Sequence, residues 1–131
     1  MKFVYKRVSK ILLVLLTLSI LFSAMPVQAK TKKQTYKDYA CSVATKKYHW
    51  SKTDCKNLIK LWNKESGWNP KDKYNGCYGI PQRNLRYTSA KEKKKFKSDW
   101  KYQIDWGLRY IKKRYKNPTR AWNFWKKHQW Y

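Results

Sequence analysis

The sequence predicts a mostly α-helical domain, α+β in class, with one small hairpin or looped tongue beside a helix that carries a glutamate. Three observations predict it. Leu58, Trp62 and Glu65 fall at i, i+4 and i+7, with Leu61 widening the same helical face. Trp100, Ile104, Leu108, Ile111 and Tyr115 follow at helical spacing and mark the clearest amphipathic helix in the chain. Between them, residues Asn69 to Gln82 are rich in turn formers, and Asn75-Gly76 is a hairpin signal.

The first 29 residues read as a signal peptide. Lys2, Lys6, Arg7 and Lys10 form a basic start, Ile11 to Phe22 an apolar run, and Val27-Gln28-Ala29 a small-x-small cleavage site. The run is short of the ~20 residues that a spanning helix needs. Export is therefore expected, with no membrane span after cleavage and an extracellular, wall-associated location. Residues 30–35 read as a basic linker and 36–131 as one domain of modest core, about 100 residues long.

Tyr36, Tyr39, Ala40, Val43, Ala44 and Tyr48 have helical spacing, and His49-Trp50-Ser51 breaks it. Ser51 or Thr53 can cap the next helix, with Asp54 favourably placed in its first turn. Gly67, with Pro70 beyond it, is the stop for that helix. Arg83 to Asp99 reads as a lysine-rich surface loop with room for a short helix. Asn117-Pro118 ends the long amphipathic helix, and Thr119 to Gln129 forms a last one with Trp122 and Trp125 on one side.

The chain holds 32 basic and 7 acidic residues, a formal charge of +25. Such a protein binds polyanions without sequence preference. Outside a cell these are anionic wall polymers, anionic lipids and DNA, and charge alone does not choose among them. Three cysteines make an odd count, so at least one is not paired within the chain. If the first two helices form an antiparallel hairpin, Cys41 and Cys55 lie near one another and form the favoured bridge; three free thiols are the alternative. His49 and His128 show no ligand spacing with the cysteines, so no metal is expected.

Glu65 stands out by scarcity and position. The only other glutamate, Glu92, sits in a lysine run. A carboxyl on the buried face near a helix C-terminus is disfavoured in its charged form by burial and by the helix dipole. Both effects raise its pKa, which suits a proton donor. Eight tryptophans and eleven tyrosines supply flat amphipathic rings, some for the core and some for a cleft wall that can face sugars. An exported basic domain, a protonatable glutamate and many aromatics point to glycan cleavage.

These residues carry a family resemblance. Leu61-Trp62-Asn63-Lys64-Glu65-Ser66-Gly67-Trp68-Asn69-Pro70 resembles the Glu-Ser motif of the soluble lytic transglycosylases, whose fold is lysozyme-like. Tyr78-Gly79-Ile80-Pro81-Gln82 is similar to their Gly-x-x-Gln turn, Gly107-Leu108-Arg109-Tyr110-Ile111 to their Gly-x-x-Tyr-Leu motif, and Ala121-Trp122-Asn123 to their Ala-Tyr-Asn motif. Small secreted members related to aggregation-promoting factors end in a similar Arg-Tyr, Ala-Trp and Trp-Tyr tail. The resemblance spans about Thr53 to Tyr131. It departs at Trp122, where the wider family has Tyr, at Pro81, and across the lysine-rich segment between Gln82 and Trp100.

The resemblance implies cleavage of the β-1,4 bond between N-acetylmuramic acid and N-acetylglucosamine in peptidoglycan. Glu65 is the implied acid and then base. Ser66 orients the site, Tyr78 and Tyr110 lie along the cleft, and Gln82, Trp122 and Asn123 contact substrate. No cofactor is implied. The muramyl 6-hydroxyl attacks internally, so one carboxyl group suffices, whereas a hydrolase generally needs a second. Asp72 and Asp99 are the carboxylates nearest in sequence to the motifs. The implied partners are peptidoglycan strands and, by charge, anionic wall polymers, without specific nucleic acid. The alternatives are a non-catalytic wall-binding or aggregation protein, and a cationic membrane- or DNA-binding protein.

Overall fold

The computed structural model describes residues 29–131, so the expected signal peptide lies outside the described residues except for Ala29. The described chain folds as five helices and a small three-stranded antiparallel sheet. The elements are α1 (Lys32–Tyr48), α2 (Lys52–Ser66), β1 (Lys73–Tyr74), β2 (Cys77–Tyr78), β3 (Arg83–Asn84), α3 (Ala90–Ser98), α4 (Trp100–Tyr115) and α5 (Pro118–His128).

Helix α1 begins earlier than its apolar pattern suggests. Residues 32–35, expected in a linker, are helical because the Thr31 side chain accepts from the Gln34 amide and caps the first turn. His49 closes α1 in a left-handed conformation. Ser51 caps α2 with a full capping box, its hydroxyl accepting from the Asp54 amide while Asp54 accepts from the Ser51 amide. Asp54 also accepts from the Thr119 hydroxyl at 2.6 Å, which ties the start of α2 to α5. Cys41 and Cys55 are disulfide-bonded, their Cα atoms 5.5 Å apart, and Cys77 is free.

The core gathers on α2. Leu58, Leu61 and Trp62 are fully buried against Trp68, Ile104, Leu108, Ile111 and Ala121. Two close approaches set its dimensions. A Cβ on Gly107 would meet the Trp62 ring at 2.6 Å and Pro81 Cβ at 2.8 Å, so the missing side chain lets α4 lie against both. A Cβ on Gly79 would collide with the Gln103 carboxamide. That carboxamide is buried and satisfied: its oxygen accepts from the Ile80 amide, and its nitrogen donates to the Pro70 and Phe96 carbonyls, each at 2.9 Å. Gln103 thereby clamps the tongue to α4 and α3.

The hairpin turns at Asn75-Gly76, both with positive φ as in a mirror-image two-residue turn. The third strand was not legible in the sequence; β3 pairs with β2 in the register Cys77↔Asn84 and Tyr78↔Arg83. Helix α3 occupies the segment expected to be mostly loop. Ser89 caps it, and its one buried side chain, Phe96, joins Tyr78 and Leu85 in a second small core. Among the described residues no helix is long and apolar enough to cross a membrane.

Candidate active site

Glu65 ends the apolar face of α2, two residues before Gly67 reverses the chain in a left-handed conformation. Trp68 follows with φ of 61°, also left-handed, and drops its ring into the core 5.3 Å from that of Trp62. A bulky residue holds this conformation only when packing repays the strain. The carboxyl group is thereby left at the surface of the core, half-buried, lining a recess of about 370 Å³ with Asp72, Lys73, Tyr74, Gln82 and Trp125.

The Trp125 indole N–H donates to Glu65 Oε1 at 2.6 Å. An indole nitrogen only donates. Oε1 is therefore fixed as an acceptor, and the proton of the neutral acid resides on Oε2, which has no hydrogen-bond partner among the described residues. Burial raises the Glu65 pKa to about 7, against the Trp125 hydrogen bond, which favours the carboxylate. Burial carries the upward shift, and the helix dipole expected to add to it is not among its causes.

Behind this pair stands Tyr131. Its hydroxyl accepts from Trp62 Nε1 at 2.8 Å and donates to the Pro81 carbonyl at 2.9 Å. Desolvation, and then the neighbouring Glu65 charge, hold this phenol well above its ordinary pKa. Burial and the same charge also push up the Cys77 thiol. On the other side of Gln82 a second recess of about 310 Å³ is walled by Cys77, Trp106, Tyr110 and Tyr131. Trp106 and Tyr110 are stacked with centroids 5.3 Å apart, 12° from parallel. Gln82 is the one residue that lines both recesses, and together they make up the candidate cleft.

Gln82 takes a left-handed conformation, φ 51°, and its carboxamide nitrogen donates to the Gly79 carbonyl at 3.0 Å and to Asp72 Oδ2 at 3.1 Å. Asp72 thus lies in the same recess as Glu65, tied to Gln82. Asp99, the other candidate, caps α4 by accepting from the Lys101 and Tyr102 amides.

Of the residues expected at the site, Glu65, Gln82 and Tyr110 are brought to the cleft. Ser66 is adjacent but structural: its hydroxyl donates to the Ile80 carbonyl at 2.8 Å and locks the tongue to the end of α2. Tyr78 does not line the cleft. Neighbours on a strand point to opposite faces, and Cys77 takes the cleft side while Tyr78 packs into the second core. Trp122 stacks on Trp125 at 5.4 Å and makes no hydrogen bond to Glu65. Asn123 is exposed and lines neither recess, because α5 turns the face of Ala121 and Trp125 inward.

Three contributors were missed: Trp125, Tyr131 and Trp106. The sequence shows Trp125 only as sharing a helix side with Trp122, and its partner lies 60 residues away. Among the described residues no three His, Cys, Asp or Glu side chains gather as a metal site. Comparison with protein-family models, with curated proteins and with solved structures finds no match.

Proposed function

We propose that this protein is a secreted lytic transglycosylase that cleaves the MurNAc-β-1,4-GlcNAc bond of peptidoglycan, with Glu65 as the single acid and base. The observation that carries the reading is a half-buried carboxyl with a pKa of about 7, held through Oε1 by Trp125, in a recess that shares Gln82 with a neighbouring one walled by aromatic rings. Glu65 gives its Oε2 proton to the glycosidic oxygen as the bond to the muramyl C1 breaks. The resulting carboxylate takes the proton of the muramyl 6-hydroxyl as that oxygen bonds to C1. The products are an N-acetylglucosamine end with a free hydroxyl and a 1,6-anhydromuramyl end, and Glu65 is again protonated. The stacked Trp106 and Tyr110 offer ring faces to sugars, and the Gln82 carboxamide oxygen faces no competing donor within the described residues. The Cys41–Cys55 bridge supports export to an oxidising compartment.

The position of Asp72 favours a second reading, hydrolysis. A carboxylate in the same recess can bind and orient a water for attack at C1, as the second carboxyl of a glycosidase does. Mass analysis of the fragments released from purified peptidoglycan separates the readings. Anhydromuropeptides support the transglycosylase. Reducing muramyl ends support hydrolysis. Binding with no release supports a non-catalytic wall protein and overturns both.

A further inference from the structure

A second feature of the tongue lies outside the cleft. Between the hairpin and α3 is a recess of about 370 Å³ whose polar wall includes Lys73, Arg86, Lys93 and Lys97 and no carboxylate. Lys93 and Lys97 are one turn apart on α3 and share a face. Among the described residues the ion pairs are Lys30–Asp38 and Arg83–Glu92, so none of the four recess cations has an acidic partner. Four like charges around one hollow repel one another, and no ion pair among the described residues offsets that. The floor holds Tyr78, whose ring lies 5.4 Å from the Lys97 ammonium, and at the rim Tyr74 is 71% exposed.

Lys73 and Tyr74 also line the Glu65 recess. The cationic hollow and the cleft thus meet across β1. A strand lying in one can carry a substituent into the other.

We infer that this recess binds the phosphodiester groups of an anionic polymer carried by the glycan that the cleft cleaves. The inference rests on the glycan-cleavage reading for its choice of polymer. Ammonium groups suit phosphate oxygens as point charges, and Arg86 adds a planar fork of donors. A polyol phosphate on the glycan reaches the recess past Lys73 and Tyr74. A free nucleic acid has the same phosphodiester but no connection to the cleft.

The test is binding of a peptidoglycan fragment carrying poly(glycerol phosphate) to the purified protein, with polyglutamate and single-stranded DNA as comparison ligands. Lys93→Gln/Lys97→Gln removes two recess charges. Lys112→Gln/Lys113→Gln removes two exposed charges from α4, away from the recess. The recess variant is expected to lose about tenfold in affinity for the polyol phosphate, and the α4 variant much less. Polyglutamate and DNA are expected to weaken to a similar small extent in both variants. Digestion of peptidoglycan stripped of phosphate polymers should be unchanged in the recess variant. Equal losses in the two variants would overturn the inference and leave net charge as the cause. A recess-specific loss for DNA or polyglutamate that matches the polyol phosphate would also overturn it. Failure of wild type to digest stripped peptidoglycan defeats the cleavage reading separately, since the binding comparison does not depend on turnover.

Discussion

The indole nitrogen of Trp125 lies 2.6 Å from Glu65 Oε1, and this bond joins the end of α2 to the middle of α5. It orients the carboxyl group and stabilises its charged form, while burial acts in the opposite sense and prevails. Trp125→Phe keeps a ring to stack on Trp122 and removes the donor. Glu65 should then hold its proton to higher pH. The alkaline limb of kcat/KM should move upward from about 7, and the rate at its maximum should fall on the order of tenfold from lost orientation. A pH–rate profile of both proteins reads this directly. A downward shift of the limb would contradict the assigned role.

Glu65 also has a stability signature. Its folded pKa of about 7 lies above its ordinary value of 4.5. The native state therefore binds the proton more tightly than the unfolded state. The contribution is fully favourable below pH 4.5 and is lost as pH rises through about 7. Glu65→Gln retains an acceptor for Trp125 and escapes this loss. Allowing for solvent screening of a partly exposed group, the variant should be more stable by on the order of 2 kcal/mol at neutral pH. The gain should vanish toward pH 4.5, and thermal melts across that interval measure it. A variant less stable than wild type at pH 7 would indicate a carboxylate that is well paired in the fold.

Gly107→Ala tests the packing under the cleft. The added methyl would meet the Trp62 ring and Pro81. Overpacking costs about 1–3 kcal/mol, offset by about 1 kcal/mol of helix propensity. The net expectation is a destabilisation of up to about 2 kcal/mol, read by urea denaturation. Because Trp62 precedes Glu65 by one turn, glycan cleavage should fall as well.

The Cys41–Cys55 bridge closes a loop of sequence separation 14. Replacing both cysteines with serine should cost about 3 kcal/mol, since the bridge restricts the unfolded chain. Cys55 is in the first turn of α2, ten residues from Glu65, and neither cysteine lines the cleft. Cleavage at room temperature should therefore survive. Denaturant midpoints and activity, measured side by side, check both halves.

The helices were legible where their apolar faces are long, as in α2 and α4, and the hairpin was legible from Asn75-Gly76. Helix α3 was obscured because a single residue, Phe96, carries its burial amid lysines. Glu65 was legible from its place on the α2 face. Its partner was not, because the bond to Trp125 depends on how α5 lies across α2. The same applies to Tyr131, whose hydroxyl bonds Trp62 and Pro81 from 69 and 50 residues away. The motif resemblance directed attention to Trp122 and Asn123, but the rotation of α5 presents Trp125. Tyr78 was displaced by strand alternation: the side chain reaching the cleft is that of its neighbour Cys77.

The most direct test of Glu65 as the acid is release of soluble fragments from purified peptidoglycan by wild type and Glu65→Gln, with binding to the same material measured in parallel. The account predicts that the variant binds as well as wild type and releases fragments at least ~10²-fold more slowly, the scale of a lost general acid. Comparable release by the two proteins would contradict it.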